Sequence, residues 1–414
     1  MRPSHRRRTI ELVEYTPRQL DGHELSQELG ERLWREYGDR VAVEFPSPKT
    51  GGRWQLTARN WAGYIPLSEE VGISLLPQVG PLDLFRMLEY AYDLQSFRFL
   101  GSLFETGSLE NFYNILAKAL ARMILARERR GLYREYIGRH GPLMHLRGRM
   151  DAERAARKPW GVELWCRYLE RTADIEDNRI LAWTSFVLGR SGILEEETAG
   201  LVRKAHHGLR ATVGLHPIGP ETCTGRAYNR LNTDYAPLHA LCRFFLEHTG
   251  PAHGGRGRWM LPFLVDTARL YERFVARWLE ENLPDRVRAI PQVRVPVGGS
   301  LQFAIDLVLC DAATGAALCV LDTKYKFAPT PDTSDIAQVV AYAEAKRCRE
   351  AVLVYPTLLT EAFEAKVGGI RVRALTFSPG FDLEESGRTF VRELLAWDEP
   401  QASRASPSGP RLNP

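Results

Sequence analysis

Short apolar runs separated by polar turns form the clearest pattern in the last third of the chain. Val, Leu, Ile, Phe, Tyr and Cys dominate residues 303–310 and 317–326, and turn residues bound both runs. Residues 311–315 between them are polar and include a glycine, as a hairpin turn requires. The pattern predicts an antiparallel hairpin, followed by a helix over 334–346 and an apolar strand.

Two aspartates occupy matching places in this hairpin. Paired residues in an antiparallel ladder have numbers of constant sum, so a turn centred on Thr314 places Asp306 opposite Asp322 or one step away. Side chains alternate along a strand, so Asp322 and Lys324 share a face while Thr323 points away from it. The pattern predicts that two carboxylates and one ammonium converge on a small volume.

Such a cluster suits a hard divalent cation. Mg²⁺ takes oxygen ligands, keeps several waters and binds through one or two carboxylates plus substrate phosphate. We therefore predict Asp306 and Asp322 as ligands of Mg²⁺, for which Mn²⁺ can substitute, in a site that hydrolyses a phosphodiester. Lys324 is predicted to position the attacking water and stabilise developing negative charge. The alternative is a solvated surface ion pair. However, a charge at the end of an apolar strand costs free energy, so a charge without a function is not expected there.

The helix after the hairpin carries another candidate. Gln338 lies beside the apolar face of the predicted helix over 334–346. It reaches the metal site or a DNA phosphate, or it is a plain surface glutamine. Ser334 or Thr333 is predicted to cap this helix, and Asp335 to complement the helix dipole in the first turn.

A helix upstream of the hairpin carries a further acid. Residues 261–283 place apolar side chains at helical spacing, and Glu272 lies within this pattern. Glu272 either projects toward the hairpin or pairs at the surface with Arg269 or Arg273. Spacing leaves both interpretations open.

The order of these features resembles a known nuclease fold. A helix with Glu, a strand with Asp, a strand with Asp-x-Lys, a helix with Gln and a last strand together resemble the PD-(D/E)xK fold. More closely, the chain resembles the McrC family, the nuclease subunit of the McrBC modified-cytosine restriction system. The C-terminal motifs are DTARLYERFV, FAIDLVL, DTKYK, SDIAQVVAYA and AVLVYP. One departure is Ile305, which stands where the motif name has a proline.

The resemblance continues upstream and covers roughly residues 10–397. Motifs that resemble the N-terminal and middle parts of the family are GYIPLSEEVGISLLPQVG, FRMLEYAYDL, RRGLYREYI, LRGRMD, DIEDNRIL and LNTDY. The resemblance implies that Asp306, Asp322, Lys324, Glu272 and Gln338 are the catalytic residues. It also implies that Glu272 joins the two aspartates as a metal ligand.

The expected fold class is a multidomain α/β chain. Strand-like runs at 9–14, 41–45, 53–60, 63–67 and 72–76, with a helix over 82–94, indicate a β-rich N-terminal module. Amphipathic stretches at 108–130, 174–189, 194–211 and 234–248 indicate a mostly helical middle region. The predicted domains are a β-rich partner-docking module at 1–100, a helical region at 101–258, a PD-(D/E)xK nuclease domain at 259–398 and a disordered tail at 399–414.

The chain contains no GxxxxGK[ST] phosphate loop and is therefore not expected to hydrolyse a nucleotide by itself. The resemblance implies a separate partner, an McrB-like AAA+ GTPase hexamer that the chain stimulates, and double-stranded DNA as the substrate. The predicted function is a metal-dependent endonuclease subunit of a GTP-dependent, modified-cytosine restriction complex. Two alternatives are a freestanding Mg²⁺-dependent nuclease of DNA repair or recombination, and a non-catalytic adaptor of the AAA+ ring.

Composition adds limits to this picture. The 414 residues carry a formal net charge of only +4, so charge alone favours nucleic acid weakly. Arginines are concentrated in the middle region, where they either neutralise phosphates or form a solvated helix face. They are Arg122, Arg127, Arg129, Arg130, Arg134, Arg139, Arg147 and Arg149. The six cysteines form no CxxC pair, and no signal peptide or membrane-spanning run is evident, so a reduced cytoplasmic setting is expected.

Overall fold

A computed structural model of the chain describes residues 8–68, 70–92, 94, 109–157, 160–249, 253–255, 258–260, 262–299, 301–327, 330–380 and 382–396. The predicted disordered tail at 399–414 lies outside these residues. The chain divides into two compact units, one formed by Met1–Gln78 with Tyr92–Val265 and the other by Val79–Ala91 with Asp266–Pro414.

The first unit begins with strands and one helix. The elements are β1 (Arg8–Val13), β2 (Arg18–Leu20), α1 (Gln27–Tyr37), β3 (Val41–Glu44), β4 (Trp54–Ala58), β5 (Trp61–Pro66) and β6 (Val71–Leu76). The five predicted strands are confirmed to within two residues, but helix α1 was not predicted. Ser26 caps α1 by accepting from the Leu29 amide, and Leu33 and Tyr37 are buried on one face. The next helix, α2 (Pro81–Ala91), belongs to the second unit.

The rest of the first unit is mainly helical. Its elements are α3 (Leu109–Arg130), β7 (Glu135–Leu143), β8 (Arg149–Met150), α4 (Ala152–Arg157), β9 (Leu164–Thr172), α5 (Glu176–Leu188), α6 (Glu196–Arg210), α7 (Tyr235–His248), β10 (His253–Gly255), β11 (Arg258–Met260) and β12 (Phe263–Asp266). The four predicted helical stretches correspond to α3, α5, α6 and α7. The sheet β7-β9-β8 was not predicted, because most of its residues are exposed and carry no hydrophobic alternation.

Two sheets enclose the N-terminal core. One has the strand order β1-β6-β5-β12 and the other β2-β4-β3. Trp54 on β4 is 2 % exposed and lies against Gly30 of α1. A Cβ atom on Gly30 would come within 2.4 Å of the Trp54 ring, so only glycine permits this close approach. The predicted helix at 261–283 is shorter at its start, because residues 263–266 pair as strand β12.

The second unit is built on one six-stranded sheet. Its remaining elements are α8 (Thr267–Asn282), β13 (Val287–Gly298), β14 (Leu301–Asp311), β15 (Ala317–Thr323), α9 (Thr333–Lys346), β16 (Glu350–Tyr355), β17 (Glu364–Val367), β18 (Ile370–Thr376) and α10 (Leu383–Leu394). The strand order is β13-β14-β15-β16-β18-β17. Strands β13, β14 and β15 pair antiparallel, whereas β15, β16 and β18 run parallel. Helix α9 is the crossover between β15 and β16.

Helix α9 packs on the sheet through an apolar core. Val339 and Ala343 of α9 are fully buried in the same cluster as Val320 and Leu353 of the sheet. A separate aromatic stack joins α8 and α10, in which Phe377 lies between Phe274 and Phe390 at centroid distances of 4.9 and 4.8 Å. The helices around the sheet are therefore held by apolar and aromatic packing.

Candidate functional site

The hairpin of β14 and β15 places the two predicted aspartates opposite each other. The ladder pairs Leu307 with Leu321 and Val308 with Val320, and this register, continued by one residue, places Asp306 opposite Asp322. The predicted register is confirmed. Asp306 lies within β14, because the neighbouring Ile305 is buried in the core of the sheet, whereas Asp322 is the penultimate residue of β15.

The Asp306 side chain accepts hydrogen bonds from the opposite strand, just beyond the last backbone pair of β14 and β15. Its Oδ2 accepts hydrogen bonds from the backbone N and the Oγ1 of Thr323, each at 2.8 Å. The prediction that Thr323 points away from the site is wrong, because β15 ends at this residue and strict alternation ends with it. Thr323 therefore fixes the Asp306 carboxylate through two donors.

Lys324 lies directly beside Asp322. The Lys324 Nζ is 2.6 Å from Asp322 Oδ2, and Asp322 is 3 % exposed. The same Nζ donates to Gln338 Oε1 at 2.9 Å, and Gln338 Nε2 donates to the Tyr342 hydroxyl at 2.6 Å. Gln338 is exposed, as a surface glutamine would be, but the structure brings it to the lysine, and its role in the metal site stays a prediction.

Asp335 is a site residue that the sequence reasoning placed only in the helix dipole. It is 5 % exposed, and its Oδ1 lies 3.4 Å from Lys324 Nζ. It also accepts from Lys326 Nζ at 2.9 Å and 3.1 Å. Its spacing from Gln338, three residues on one helix, was the available signal.

The predicted caps of α9 are wrong. The residue at the N-cap position is Asp332, and its side chain makes no capping hydrogen bond. Its carboxylate instead pairs with Lys326 at 2.9 Å. The start of α9 is therefore held to the segment after β15 by lysine and aspartate, in place of a Ser or Thr cap.

Glu272 on α8 contacts Gln292 on β13. The Gln292 Nε2 donates to Glu272 Oε1, and Gln292 stands opposite Asp306 in the register of β13 and β14. Burial, and then repulsion from Asp306, raise the pKa of Glu272 to about 7. Arg269 and Arg273 oppose this shift, so both arginines are near enough to act electrostatically.

The electrostatics of the hairpin show an excess of negative charge. Burial and the neighbouring Asp306 raise the pKa of Asp322 to about 6, although Lys324 opposes the shift. Burial lowers the pKa of Lys324, but Asp322 and Asp335 outweigh it, so the net shift is upward. Lys324 therefore does not hold the pKa of Asp322 at its ordinary value.

The residues present fit a divalent cation through two carboxylates. Within the described part of the chain, no three acidic, histidine or cysteine side chains are gathered into a metal-binding set. Mg²⁺ does not need three, since it binds through one or two carboxylates and keeps its waters. Among the described residues Asp322 Oδ2 has no aligned hydrogen-bond donor, despite its nearness to Lys324. Glu272 as a third ligand stays a prediction.

Comparison with known proteins identifies the family. The model of the McrBC 5-methylcytosine restriction system component family matches residues 56–356. The chain belongs to this family. The match spans the hairpin, helix α9 and strand β16, and it confirms the resemblance to the McrC subunit that the motifs indicated.

Solved structures of the McrBC system are similar to this chain. A half-complex from a tetradecameric assembly of Thermococcus gammatolerans McrB AAA+ hexamers with bound McrC matches with a TM-score of 0.58 at 18 % identity. The alignment covers 94 % of this chain and 100 % of that one, and at this identity it shows a shared fold. A cryo-EM structure of the McrBC complex from the same organism matches at 20 % identity and a TM-score of 0.43, over 67 % of this chain and 88 % of that one. No curated protein matches the chain.

Several arginines of the middle region form ion pairs. Arg127 and Arg130 pair with Asp234, and Arg139 pairs with Glu170. The charges of these three arginines are therefore partly offset by acids of the chain itself. The six cysteines are all buried. Over the described residues, no helix has the length and apolar character needed to span a bilayer.

Proposed function

We propose that this McrBC-family chain is the Mg²⁺-dependent endonuclease subunit of a GTP-dependent restriction complex, with a PD-(D/E)xK site in its second unit. The observation that carries the proposal is the register of the hairpin, which places Asp306 opposite Asp322, together with the Lys324 ammonium 2.6 Å from Asp322. The substrate is double-stranded DNA, and modified cytosine is recognised within the complex.

The residues have distinct roles in this proposal. Asp306 and Asp322 hold Mg²⁺ or Mn²⁺, and the cation, when bound, acidifies a water and offsets charge on the phosphate. Thr323 fixes the Asp306 carboxylate. Gln338 fixes the lysine, because its Oε1 accepts from Lys324 Nζ at 2.9 Å. Lys324 then offers a positioned positive charge to the attacking water and the phosphate oxygens.

A partner supplies the nucleotide chemistry. The sequence has no phosphate loop, and the structure similar to this chain contains McrB AAA+ hexamers with bound McrC. We therefore propose that an AAA+ GTPase hexamer binds this chain and controls cleavage. The buried, ion-paired site argues for a catalytic subunit, since an adaptor has no use for charges whose burial is costly.

The experiment is a cleavage assay with the partner, GTP and Mg²⁺, using Asp322→Ala and Lys324→Ala. Each change is expected to reduce cleavage at least about 100-fold, because a ligand or a charge that acts in the transition state is lost. Asp285→Ala and Lys366→Ala are matched controls, since both residues are exposed in the same unit. Wild-type cleavage by either site variant would refute the assignment.

The metal requirement is tested in the same assay. Mg²⁺ or Mn²⁺ should support cleavage, whereas Ca²⁺ should bind without supporting it, because Ca²⁺ is larger and acidifies bound water less. Full cleavage in excess chelator would contradict a metal-dependent mechanism.

A further inference from the structure

Gln292 has an unusual backbone for a residue within a strand. Its φ is +52°, in the left-handed region that side chains other than Gly, Asn and Asp rarely adopt. The ladder between β13 and β14 pairs Pro291 with Leu307 and Val293 with Ile305 and leaves Gln292 out, opposite Asp306. The strain therefore falls at the one position of β13 that faces a proposed metal ligand.

The strained backbone has a local consequence. The side-chain carboxamide of Gln292 on β13 donates to the carboxylate of Glu272 on α8, 20 residues earlier in the sequence. Asp306 and Glu272 repel each other when both carboxylates are charged. A donor on Glu272 offsets part of that repulsion, since a hydrogen bond to the charged form favours it.

We propose that Gln292 is a positioning residue of the metal site. Its left-handed backbone directs the side-chain carboxamide at Glu272 and holds that carboxylate beside Asp306. As a result, the site binds a divalent cation more tightly. This inference rests on the proposed metal site of Asp306 and Asp322. The strain is kept at a functional position because the hydrogen bond depends on it.

The experiment measures binding of Mn²⁺ and Ca²⁺ to the full-length chain by calorimetry, without DNA or partner. Gln292→Gly removes the amide and tolerates a φ of +52° without strain, so the fold is preserved. We expect about 10-fold weaker metal binding, as for loss of other groups that orient a ligand, with a melting temperature equal to the wild type or higher. A purely structural role for Gln292 would instead lower the melting temperature.

Three further variants of the chain distinguish the possible outcomes. Gln292→Ala should weaken metal binding like Gln292→Gly, and Gln302→Ala, which changes an exposed glutamine of the neighbouring strand, should not. Asp306→Ala should abolish binding. Equal affinity of wild type and both Gln292 variants, with Asp306→Ala impaired, would overturn the role of Gln292 alone. Absence of binding to the wild type would overturn the metal site, and the role of Gln292 with it.

Discussion

The acids around Lys324 are held in place by donors, and their charges do not cancel. Asp306 accepts from Thr323, Asp335 accepts from Lys326, and Asp322 lies beside Lys324 itself. The pKa of Asp322 is nevertheless raised, which shows that burial and repulsion exceed the stabilisation by the lysine. At the scale of single residues, the site is prepared for one more positive charge.

The raised pKa values predict how the stability of the metal-free chain depends on pH. Asp322 titrates with a pKa of about 6 and Glu272 with a pKa of about 7 in the folded chain, above their ordinary values of 3.8 and 4.5. Between about pH 4 and 7 the folded state therefore binds more protons than the unfolded state, so these groups lower stability as pH rises. Asp322→Asn should gain stability over wild type at pH 7.5 relative to pH 5.

The measurement is thermal unfolding in chelator at the two pH values. Ca²⁺ should restore much of the wild-type stability at pH 7.5 and have little effect on Asp322→Asn, because the cation replaces the missing positive charge. The same difference between wild type and variant at both pH values would show that Asp322 is not perturbed in this way.

Asp335 is expected to matter more for stability than its exposed partner. Asp335→Ala removes the buried acid that Lys324 and Lys326 share, and breaking a buried pair by removing one member costs about 3 kcal/mol. Lys326→Ala removes a lysine that is 41 % exposed in its side chain, and it should cost under about 1 kcal/mol. Chemical unfolding of both variants measures the difference, and equal costs would contradict a structural anchor at Asp335.

At the scale of elements, the sequence predicted what apolar patterning controls. The hairpin register and helix α9 follow from alternation and turn chemistry, so the grouping of Asp306, Asp322 and Lys324 can be inferred from the sequence alone. The roles of Gln292 and Asp335 cannot, because one acts through a left-handed backbone and the other through contacts with two lysines at least nine residues away in sequence. Gln292 leaves no periodic signal, and Asp335 leaves only its spacing of three residues from Gln338 on α9, which does not reveal its contacts with the lysines.

The sheet β7-β9-β8 shows the complementary limit. Its strands are recognisable only by their pairing, since Tyr136 and Leu169, both apolar, are 68 % and 62 % exposed.

Helix α1 was not predicted, for another reason. Its short amphipathic stretch lies among strand-like runs, and its burial depends on the close fit of Gly30 against Trp54.

That close fit supports a prediction about how α1 is anchored. Gly30→Ala should destabilise the first unit by about 1–3 kcal/mol, because the added methyl group overlaps the buried Trp54 ring. Gly200→Ala in α6 is the matched control, since its nearest neighbour is an Arg203 side-chain nitrogen 4.0 Å away. There the better helix propensity of Ala should raise stability by up to about 1 kcal/mol. Urea unfolding that gives both variants the same sign of change would contradict the packing argument.

In the whole molecule, the first unit contains the N-terminal strands and the helical middle region, and the second contains the hairpin with Asp306 and Asp322. Residues 79–91 belong to the second unit, so a truncation meant to remove the N-terminal strands should stop at residue 78. Strand β12 pairs with β5 within the sheet that such a truncation would cut. The truncated protein therefore needs a check of its fold before any functional conclusion is drawn from it.

Both activities of the proposed complex are expected to depend on the partner. Purified alone, the chain should show no GTP hydrolysis, because it has no phosphate loop, and little cleavage, because an unregulated nuclease would damage host DNA. Adding an AAA+ GTPase of the McrB kind should switch on cleavage and raise GTP turnover. Removing residues 1–78 should abolish the rise in GTP turnover while Mn²⁺ binding by the second unit persists, which also reports that this unit is folded. Strong cleavage by the lone chain would favour a freestanding nuclease, and undiminished GTPase stimulation by the truncated chain would place the docking surface outside the N-terminal strands.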